Sequence, residues 1–127
     1  GVVLDRDFYD AARRLTKENS SLLIVDSIQA ALRARGSLSV IDYPGFETAE
    51  APDMETYSKA VNAGQVPFSI LALQQHVADR YVVGLYGNTM TTNPRALDIA
   101  TATMNAVTPA IRSNILERGE QFQEEFG

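Results

Sequence analysis

The sequence predicts an α/β fold: part of a mostly parallel sheet with one antiparallel strand, helices packed on it, and a linker helix at the end. Residues 22–25 form an apolar run typical of a strand buried on both faces of a parallel sheet. A helical pattern precedes this run, as in a βαβ unit. A second apolar strand, residues 67–73, follows the strand at 53–58 too closely for a helical crossover, so we expect that pair to be antiparallel.

The first predicted helix covers residues 7–18, and Asp5 is its candidate N-cap. Spacings of three and four residues predict a buried face. That face consists of Phe8, Ala11, Ala12 and Leu15. Because a helix before a parallel strand implies an earlier strand, we interpret residues 2–4 as the remnant of one.

The middle of the chain is less regular. Residues 28–35 have helical propensity and end at Gly36, a residue suited to a left-handed helix stop. Residues 37–43 fit either a short strand or a helical turn. Residues 53–58 are predicted to be a strand that leads directly to Lys59.

The second half is predicted to be mainly helical. A short helix at residues 74–81 is followed by a loop at 84–93 and by a helix that starts at Pro94 and ends near Ala106. Its expected buried face is Leu97, Ala100, Met104 and Val107. The last helix, residues 110–126, carries Ile111, Ile115, Phe122 and Phe126 along one side, and such a side needs a partner.

Composition limits the function. The chain has 127 residues, enough for one domain, and a net charge of −5 with scattered acids, which argues against nucleic-acid binding. No apolar run is long enough to cross a bilayer, and the N-terminus lacks a signal-peptide pattern. Cysteine is absent and His76 is the single histidine, so thiolate or histidine metal sites are disfavoured. We expect a cytoplasmic protein with neither nucleic-acid nor membrane partners.

Three positions could carry chemistry. Asp26 ends the first strand, where open α/β sheets bind ligands, although an acid there can simply cap the next segment. Lys59 ends another strand and could form a Schiff base, or it could be a solvated surface lysine. The loop 87–89, Gly-Asn-Thr, could bind phosphate through its hydroxyl and backbone N–H groups, or be only a turn.

Taken together, these segments resemble the class III pyridoxal-phosphate-dependent aminotransferases, which have the fold type I architecture. The resembling features are a buried strand ending in Asp26 with Gln29 three residues later, and the Pro-Asp stretch leading from Pro52 to Lys59. They continue with the glycine turn and strand at 64–72 and the Thr-x-x-x-Asn-Pro loop that begins at Thr89. The resemblance extends over essentially the whole chain.

The resemblance implies pyridoxal 5′-phosphate as the cofactor. Asp26 would pair with its pyridine nitrogen, and Gln29 would hydrogen-bond near its ring hydroxyl. Lys59 would hold the cofactor as a Schiff base and then act as the base that moves the substrate proton. Thr89 would donate to the cofactor phosphate of the partner subunit, which implies a homodimer. The implied reaction moves an amino group between an amine or amino acid and a keto acid or aldehyde.

Departures from the family pattern concern side chains that flank these groups. The family usually has Glu where this chain has Ser27, and a glycine where it has Asn62. The resemblance makes residues 1–107 the C-terminal half of a cofactor-binding large domain and residues 108–127 the start of a linker helix to a small domain. We therefore expect a piece of a longer enzyme that is inactive alone. The rival hypothesis is a non-enzymatic α/β binding or assembly module.

Overall fold

A mixed three-stranded sheet is the centre of the computed structural model, which describes residues 4–85 and 93–127. Strand β1 (Ile24–Asp26) pairs in parallel with β2 (Met54–Ser58), and β2 pairs antiparallel with β3 (Ser69–Leu73). The predicted fold class and the antiparallel direction of β3 are confirmed. Residues 1–3 lie outside the described residues, and Leu4 belongs to no strand, so the expected remnant of an earlier strand remains a prediction.

Four α-helices lie in the described part of the chain. Helix α1 (Arg6–Glu18) begins after Asp5, whose carboxylate accepts hydrogen bonds from the N–H groups of Asp7 and Phe8. The others are α2 (Gln75–Ala78), α3 (Pro94–Ala106) and α4 (Pro109–Phe126). The side chains of Asn93 and Thr108 cap α3 and α4. None of these helices is both long and apolar enough to span a membrane.

The predicted buried face of α1 is wrong. Phe8 is 66% exposed and Leu15 is 49% exposed, whereas Tyr9 and Arg13 are buried. Polar contacts decide the orientation, because the Tyr9 hydroxyl donates to the backbone carbonyl of Glu50 at 2.7 Å and Arg13 binds Asp53. The ring of Tyr9 also meets the ring of Phe46 edge-on. Helix α1 therefore leaves its most apolar side chains outside the core.

The expectation that β1 is buried on both faces is also wrong. Leu22 is 40% exposed and Ile24 is 52% exposed, whereas Leu23 and Val25 pack against a cluster that contains Tyr9 and Phe46. Side chains alternate between the faces of a strand, so β1 buries one face only. We call the other sheet face, which carries Ile24, Met54, Leu71 and Leu73, the open face; described residues leave it largely uncovered.

The segment between β1 and β2 consists of turns rather than a helix. Leu32 has a φ of +62°, which interrupts the helical pattern expected over residues 28–35. Gly36 follows with a φ of +68°, and a Cβ there would lie 3.0 Å from Cα of Arg112. The ambiguous segment at 37–43 contains a 3-10 turn (Val40–Asp42), capped by Ser39. These turns pack Ala31 and Leu32 against Tyr57 and Val61 in the core.

Helices α3 and α4 contribute less to the core than the sequence suggests. The buried residues of α3 are Ala96 and Ala100, whereas Leu97 is 44% exposed. Met104 and Val107 pack against the core as expected. The predicted apolar side of α4 stays exposed at Phe122 and Phe126, whose rings lie 5.0 Å apart. The predicted need of this helix for a partner is therefore not met within the described residues.

A buried ion pair joins α1 to the start of β2. Arg13 donates to both carboxylate oxygens of Asp53, at 2.6 and 3.1 Å, and both side chains are at least nine-tenths buried. The N–H of Leu23 donates to the same carboxylate at 2.7 Å, and His76 Nε2 lies 3.0 Å from it. The Arg13 guanidinium is the main reason that the pKa of Asp53 is lowered to about 2.

We predict that Arg13→Ala lowers the free energy of unfolding of the intact protein by about 3 kcal/mol, because it leaves the Asp53 carboxylate buried without its main partner. Urea denaturation measures this loss. Arg14→Ala is the matched control, since Arg14 forms an exposed ion pair with Glu18 and should cost less than about 0.5 kcal/mol. Equal losses in the two variants would contradict the prediction.

The same ion pair predicts a dependence of stability on pH. The pKa of Asp53 is depressed in the folded state, so its stabilisation is complete above the ordinary aspartate pKa of about 4. It should be lost as the pH falls towards about 2, the folded-state value, and the loss should reach about 2 kcal/mol. Urea midpoints of the wild-type protein and of Asp53→Asn, measured from pH 6 to pH 2, should converge. Parallel curves would show that Asp53 does not titrate as stated.

Candidate functional site at the carboxyl edge of the parallel strands

Asp26 and Lys59 lie at the same edge of the sheet. Asp26 is the last residue of β1, and Lys59 directly follows Ser58, the last residue of β2. Because β1 and β2 are parallel neighbours, their carboxyl ends meet at one edge, where open α/β sheets bind ligands. Asp26 is paired in register with Thr56, three residues before the lysine. The structure thus brings together two of the residues singled out in the sequence.

The side chain of Asp26 lies on the open face. Cross-strand partners share a face, so Asp26 lies with Thr56, and the Thr56 hydroxyl donates to its Oδ1 at 3.4 Å. The N–H of Ile28 donates to the same oxygen at 3.0 Å. The second oxygen, Oδ2, has no hydrogen-bond donor among residues 4–85 and 93–127. The capping interaction considered from the sequence is therefore present, and it leaves one exposed oxygen available to a ligand.

Lys59 occupies an unusual backbone conformation. Its φ is +52°, in the left-handed region, and it opens the 3-10 turn Lys59–Asn62 immediately after β2. Non-glycine residues in this region are uncommon and often mark functional positions, where the surrounding structure holds them. Here the neighbouring Ser58 hydroxyl donates to the backbone carbonyl of Phe68 at 2.5 Å, which ties the end of β2 to the segment before β3. The exposed lysine is thus carried on a constrained turn.

An open cavity of about 610 Å³ lies beside Lys59. Among residues 4–85 and 93–127, the charged residues that line it are Lys59 and Arg33, and none of these residues contributes an acid to its wall. The guanidinium of Arg33 donates to Oε1 of Gln29 at 3.2 Å, which places the predicted cofactor ligand Gln29 close to a cavity residue. Asp26 and Gln29 themselves do not line this cavity. The cavity therefore represents the lysine side of the edge, not the whole predicted site.

Asn62 shapes the wall of this cavity. Its side chain is buried, its Oδ1 accepts from the N–H of Gly64 at 2.8 Å, and its Nδ2 donates to the backbone carbonyl of Val66. Ala63, between them, has a left-handed φ of +52°. The asparagine thus closes the turn that follows Lys59. The sequence alone marked this position only as a departure, although an amide beside a Gly is a common turn signal.

Thr89 was predicted from the sequence to belong to the site, whereas Glu55 was not. Thr89 and the rest of the 87–89 loop lie outside the described residues. Glu55, which the sequence analysis did not select, is a buried carboxylate on the core face of β2. Its signal was present in the sequence, since alternation along the strand places Glu55 on the same face as the large apolar side chain of Tyr57.

The residues present fit pyridoxal phosphate. A carboxylate with one free oxygen can accept from a protonated ring nitrogen, and a primary amine lies at the end of the neighbouring strand. Fold and edge together define an α/β protein with an aspartate and a lysine at the carboxyl ends of its two parallel strands. A model of the "Aminotransferase class-III" family matches residues 1–126, and the chain belongs to that family. Class III aminotransferases use pyridoxal phosphate.

Individual relatives agree with this assignment. The chain is 34% identical to the acetylornithine aminotransferase of Archaeoglobus fulgidus over 122 residues, covering 96% of this chain and 30% of that enzyme. It is 30% identical to the ornithine aminotransferase of Emericella nidulans, covering 98% of this chain and 26% of that enzyme. The crystal structure of the ornithine aminotransferase from Toxoplasma gondii superposes with a TM-score of 0.70 at 30% identity, covering 83% and 24% of the two chains.

A second structure of the Toxoplasma enzyme, with a TM-score of 0.68 at 30% identity, covers 81% of this chain and 23% of that one, and is described with partial occupancy of pyridoxal phosphate at its active site. The chain thus spans under a third of the length of the curated relatives it matches.

We predict that Asn62→Ala destabilises the turn after Lys59 by about 1–2 kcal/mol, because the N–H of Gly64 and the carbonyl of Val66 lose their partner. Hydrogen exchange should accelerate at Gly64. Gln65→Ala is the control, because Gln65 is exposed and makes only a 3.3 Å contact with the carbonyl of Ala63. If exchange at Gly64 stays at the wild-type rate in Asn62→Ala, the turn does not depend on this side chain.

Proposed function

We propose that this chain forms the Asp26–Lys59 part of the active site of a pyridoxal-phosphate-dependent aminotransferase. The observation that carries the proposal is the placement of an acid and a lysine at the carboxyl ends of adjacent parallel strands. Membership of the class III family gives the reaction type. Because the chain spans under a third of its curated relatives, activity belongs to the whole protein, and these residues alone are proposed to be inactive.

Each residue has a chemical task in this proposal. Bound pyridoxal phosphate supplies the electron sink. The free Oδ2 of Asp26 accepts a hydrogen bond from the protonated ring nitrogen, and the negative charge of the carboxylate keeps that nitrogen protonated. The Nζ of Lys59 would hold the cofactor, and when it is free it would act as the base that takes up and returns the substrate proton.

Further parts of the proposal rest on the family rather than on contacts in this structure. Gln29 hydrogen-bonds near the ring hydroxyl, and Thr89 donates to the phosphate of the partner subunit in a homodimer. Residues 1–107 are the second half of the large domain, and residues 108–127 begin the linker helix to a small domain. The exposed phenylalanines of α4 are consistent with more chain or a partner beside that helix. A cytoplasmic location belongs to the same proposal.

The proposed substrates are an amine or amino acid as donor and a keto acid or aldehyde as acceptor. The named relatives act on acetylornithine and ornithine, which favours a donor of that kind. Arg33 and the cavity wall beside Lys59, to which the described part of the chain contributes no acid, suit an anionic group such as the carboxylate of a substrate. The exchange leaves the amino group on the acceptor and a carbonyl on the former donor.

A non-enzymatic binding module remains the rival proposal. Its support is that Asp26 caps the turn through Ile28 N–H and that Lys59 is exposed, as structural residues would be. In that case neither side chain would be needed for cofactor binding. The two proposals differ in what happens to Lys59 when the protein is reduced in the presence of pyridoxal phosphate.

We predict that the intact protein loaded with pyridoxal phosphate shows a visible absorbance band that borohydride abolishes, and that peptide mass spectrometry finds the reduced adduct on Lys59. Lys59→Ala should lose the band and at least about 1,000-fold in turnover, because the attachment point and the base disappear together. Lys17, the other lysine of this chain, is the control: Lys17→Ala should keep both band and activity. A band that survives Lys59→Ala would refute the assignment and favour the rival.

A further inference from the structure

Glu55 is a buried acid that the proposed chemistry does not use. It lies in the middle of β2, is 4% exposed, and occupies the core face of the strand, opposite to the open face that carries Asp26. A carboxylate in such a place is costly unless several donors satisfy it. The side chain therefore needs either strong partners or a function that justifies its burial.

Three donors from two separate segments satisfy Glu55. The Ser27 hydroxyl donates to Oε1 at 2.5 Å, and the N–H of Val40 donates to the same oxygen at 3.0 Å. The Ser39 hydroxyl donates to Oε2 at 2.6 Å. One oxygen thus reaches the end of β1, and both reach the turn at residues 39–40. The carboxylate joins three stretches of chain that are far apart in sequence.

Ser27 is the residue immediately after Asp26, and β2 holds it twice. Its N–H donates to the carbonyl of Thr56 at 3.0 Å, and its hydroxyl binds Glu55. The exposed Asp26 side chain has one long contact with β2, the Thr56 hydroxyl at 3.4 Å, and its shorter hydrogen bond, at 3.0 Å, comes from the N–H of Ile28 in the segment that Ser27 begins. The direction in which the Asp26 carboxylate points therefore depends on how firmly Ser27 is anchored on the opposite face.

The hydrogen bonds that hold Ser27 matter because β1 is short and has few backbone hydrogen bonds. It has three residues, and within the described part of the chain it pairs only with β2. Such a short ladder lets its last residue twist unless side chains fix it. Ser27 on the core face and Asp26 on the open face are coupled, since successive residues of a strand point to opposite sides. Holding the serine inward holds the aspartate outward.

We propose that Glu55 is a positioning residue for the reaction: through Ser27 it fixes the end of β1 so that the Asp26 carboxylate faces the cofactor's ring nitrogen. This inference rests on the proposed function. Glu55 touches neither cofactor nor substrate and acts only through the serine.

The competing explanation is that Glu55 only anchors the turn at residues 39–40. Two serine variants separate these roles, because each removes one hydroxyl donor to Glu55 and the two hydrogen bonds are of similar length. Ser27→Ala cuts the link to β1, and Ser39→Ala cuts a link to the turn. If Glu55 is purely structural, the two variants should affect the active site alike. If Glu55 is a positioning residue, only Ser27→Ala should affect the active site.

The experiment uses the intact protein loaded with pyridoxal phosphate and compares wild type, Ser27→Ala, Ser39→Ala and Glu55→Gln. The first readout needs no turnover: the pH titration of the visible absorbance band in the absence of substrate. The second readout is kcat and KM for the amino donor, and the third is the melting temperature.

Ser27→Ala should shift the midpoint of the band titration and lower kcat about ten-fold with KM changed less than about two-fold. Ser27→Ala and Ser39→Ala should lower the melting temperature by similar amounts. Ser39→Ala should nevertheless leave the band and kcat at wild-type values.

The outcomes are distinguishable. A wild-type protein without a cofactor band means that the proposed function has failed, and the inference falls with it. A wild-type band with the same titration and kcat in Ser27→Ala overturns the inference and leaves the function intact. Equal effects of Ser27→Ala and Ser39→Ala on the band also overturn it, because they show a general loss of structure. If Glu55→Gln does not fold, Ser27→Ala still decides, since it leaves Glu55 with the Ser39 and Val40 donors.

Discussion

The bidentate contact between Arg13 and Asp53 is the interaction on which the candidate site depends. Asp53 immediately precedes β2, and its carboxylate also accepts from the N–H of Leu23, just before β1. The N–H groups of Asp53 and Met54 return hydrogen bonds to the carbonyl of Leu23. This exchange sets the register of the parallel pair at its start. A slip of one residue would move Asp26 to the core face, because the side-chain period of a strand is two.

Two buried acids therefore hold the parallel pair at its two ends. Asp53 fixes where β1 and β2 begin relative to each other, and Glu55 binds Ser27 where β1 ends. Both acids use the core face, so the open face stays free for Asp26 and Thr56. Burying charge for this purpose costs free energy unless partners are complete. The two buried acids give the short strand β1 a defined position that its few backbone hydrogen bonds would not ensure.

The sequence predicted β3 and α3 well because their signals are local. An apolar run bounded by turn residues indicated β3, the missing crossover indicated its antiparallel direction, and Asn93-Pro94 marked the start of α3. The helix expected over residues 28–35 is a series of turns instead. Burial was predicted less well. Phe8 and Leu15 were assigned to the core because they are apolar, yet Arg13 is buried in their place. Periodicity identifies the apolar face of a helix. It does not reveal that a distant carboxylate binds a different face, and Asp53 lies 40 residues from Arg13.

The sequence left two interpretations of Asp26 open, a cap and a ligand-binding carboxylate, and the two are compatible in the structure. Capping occupies Oδ1 through the N–H of Ile28, and this contact restricts the carboxylate to one range of orientations. A carboxylate that was free to rotate would lose conformational entropy on meeting a ring nitrogen, whereas a capped one has lost it during folding. The cap thus prepares Oδ2 for a ligand instead of competing with it. The same logic applies to Lys59, whose left-handed backbone fixes where the lysine leaves the strand. At this edge of the sheet, local turn geometry orients the two groups whose chemistry the proposed reaction requires.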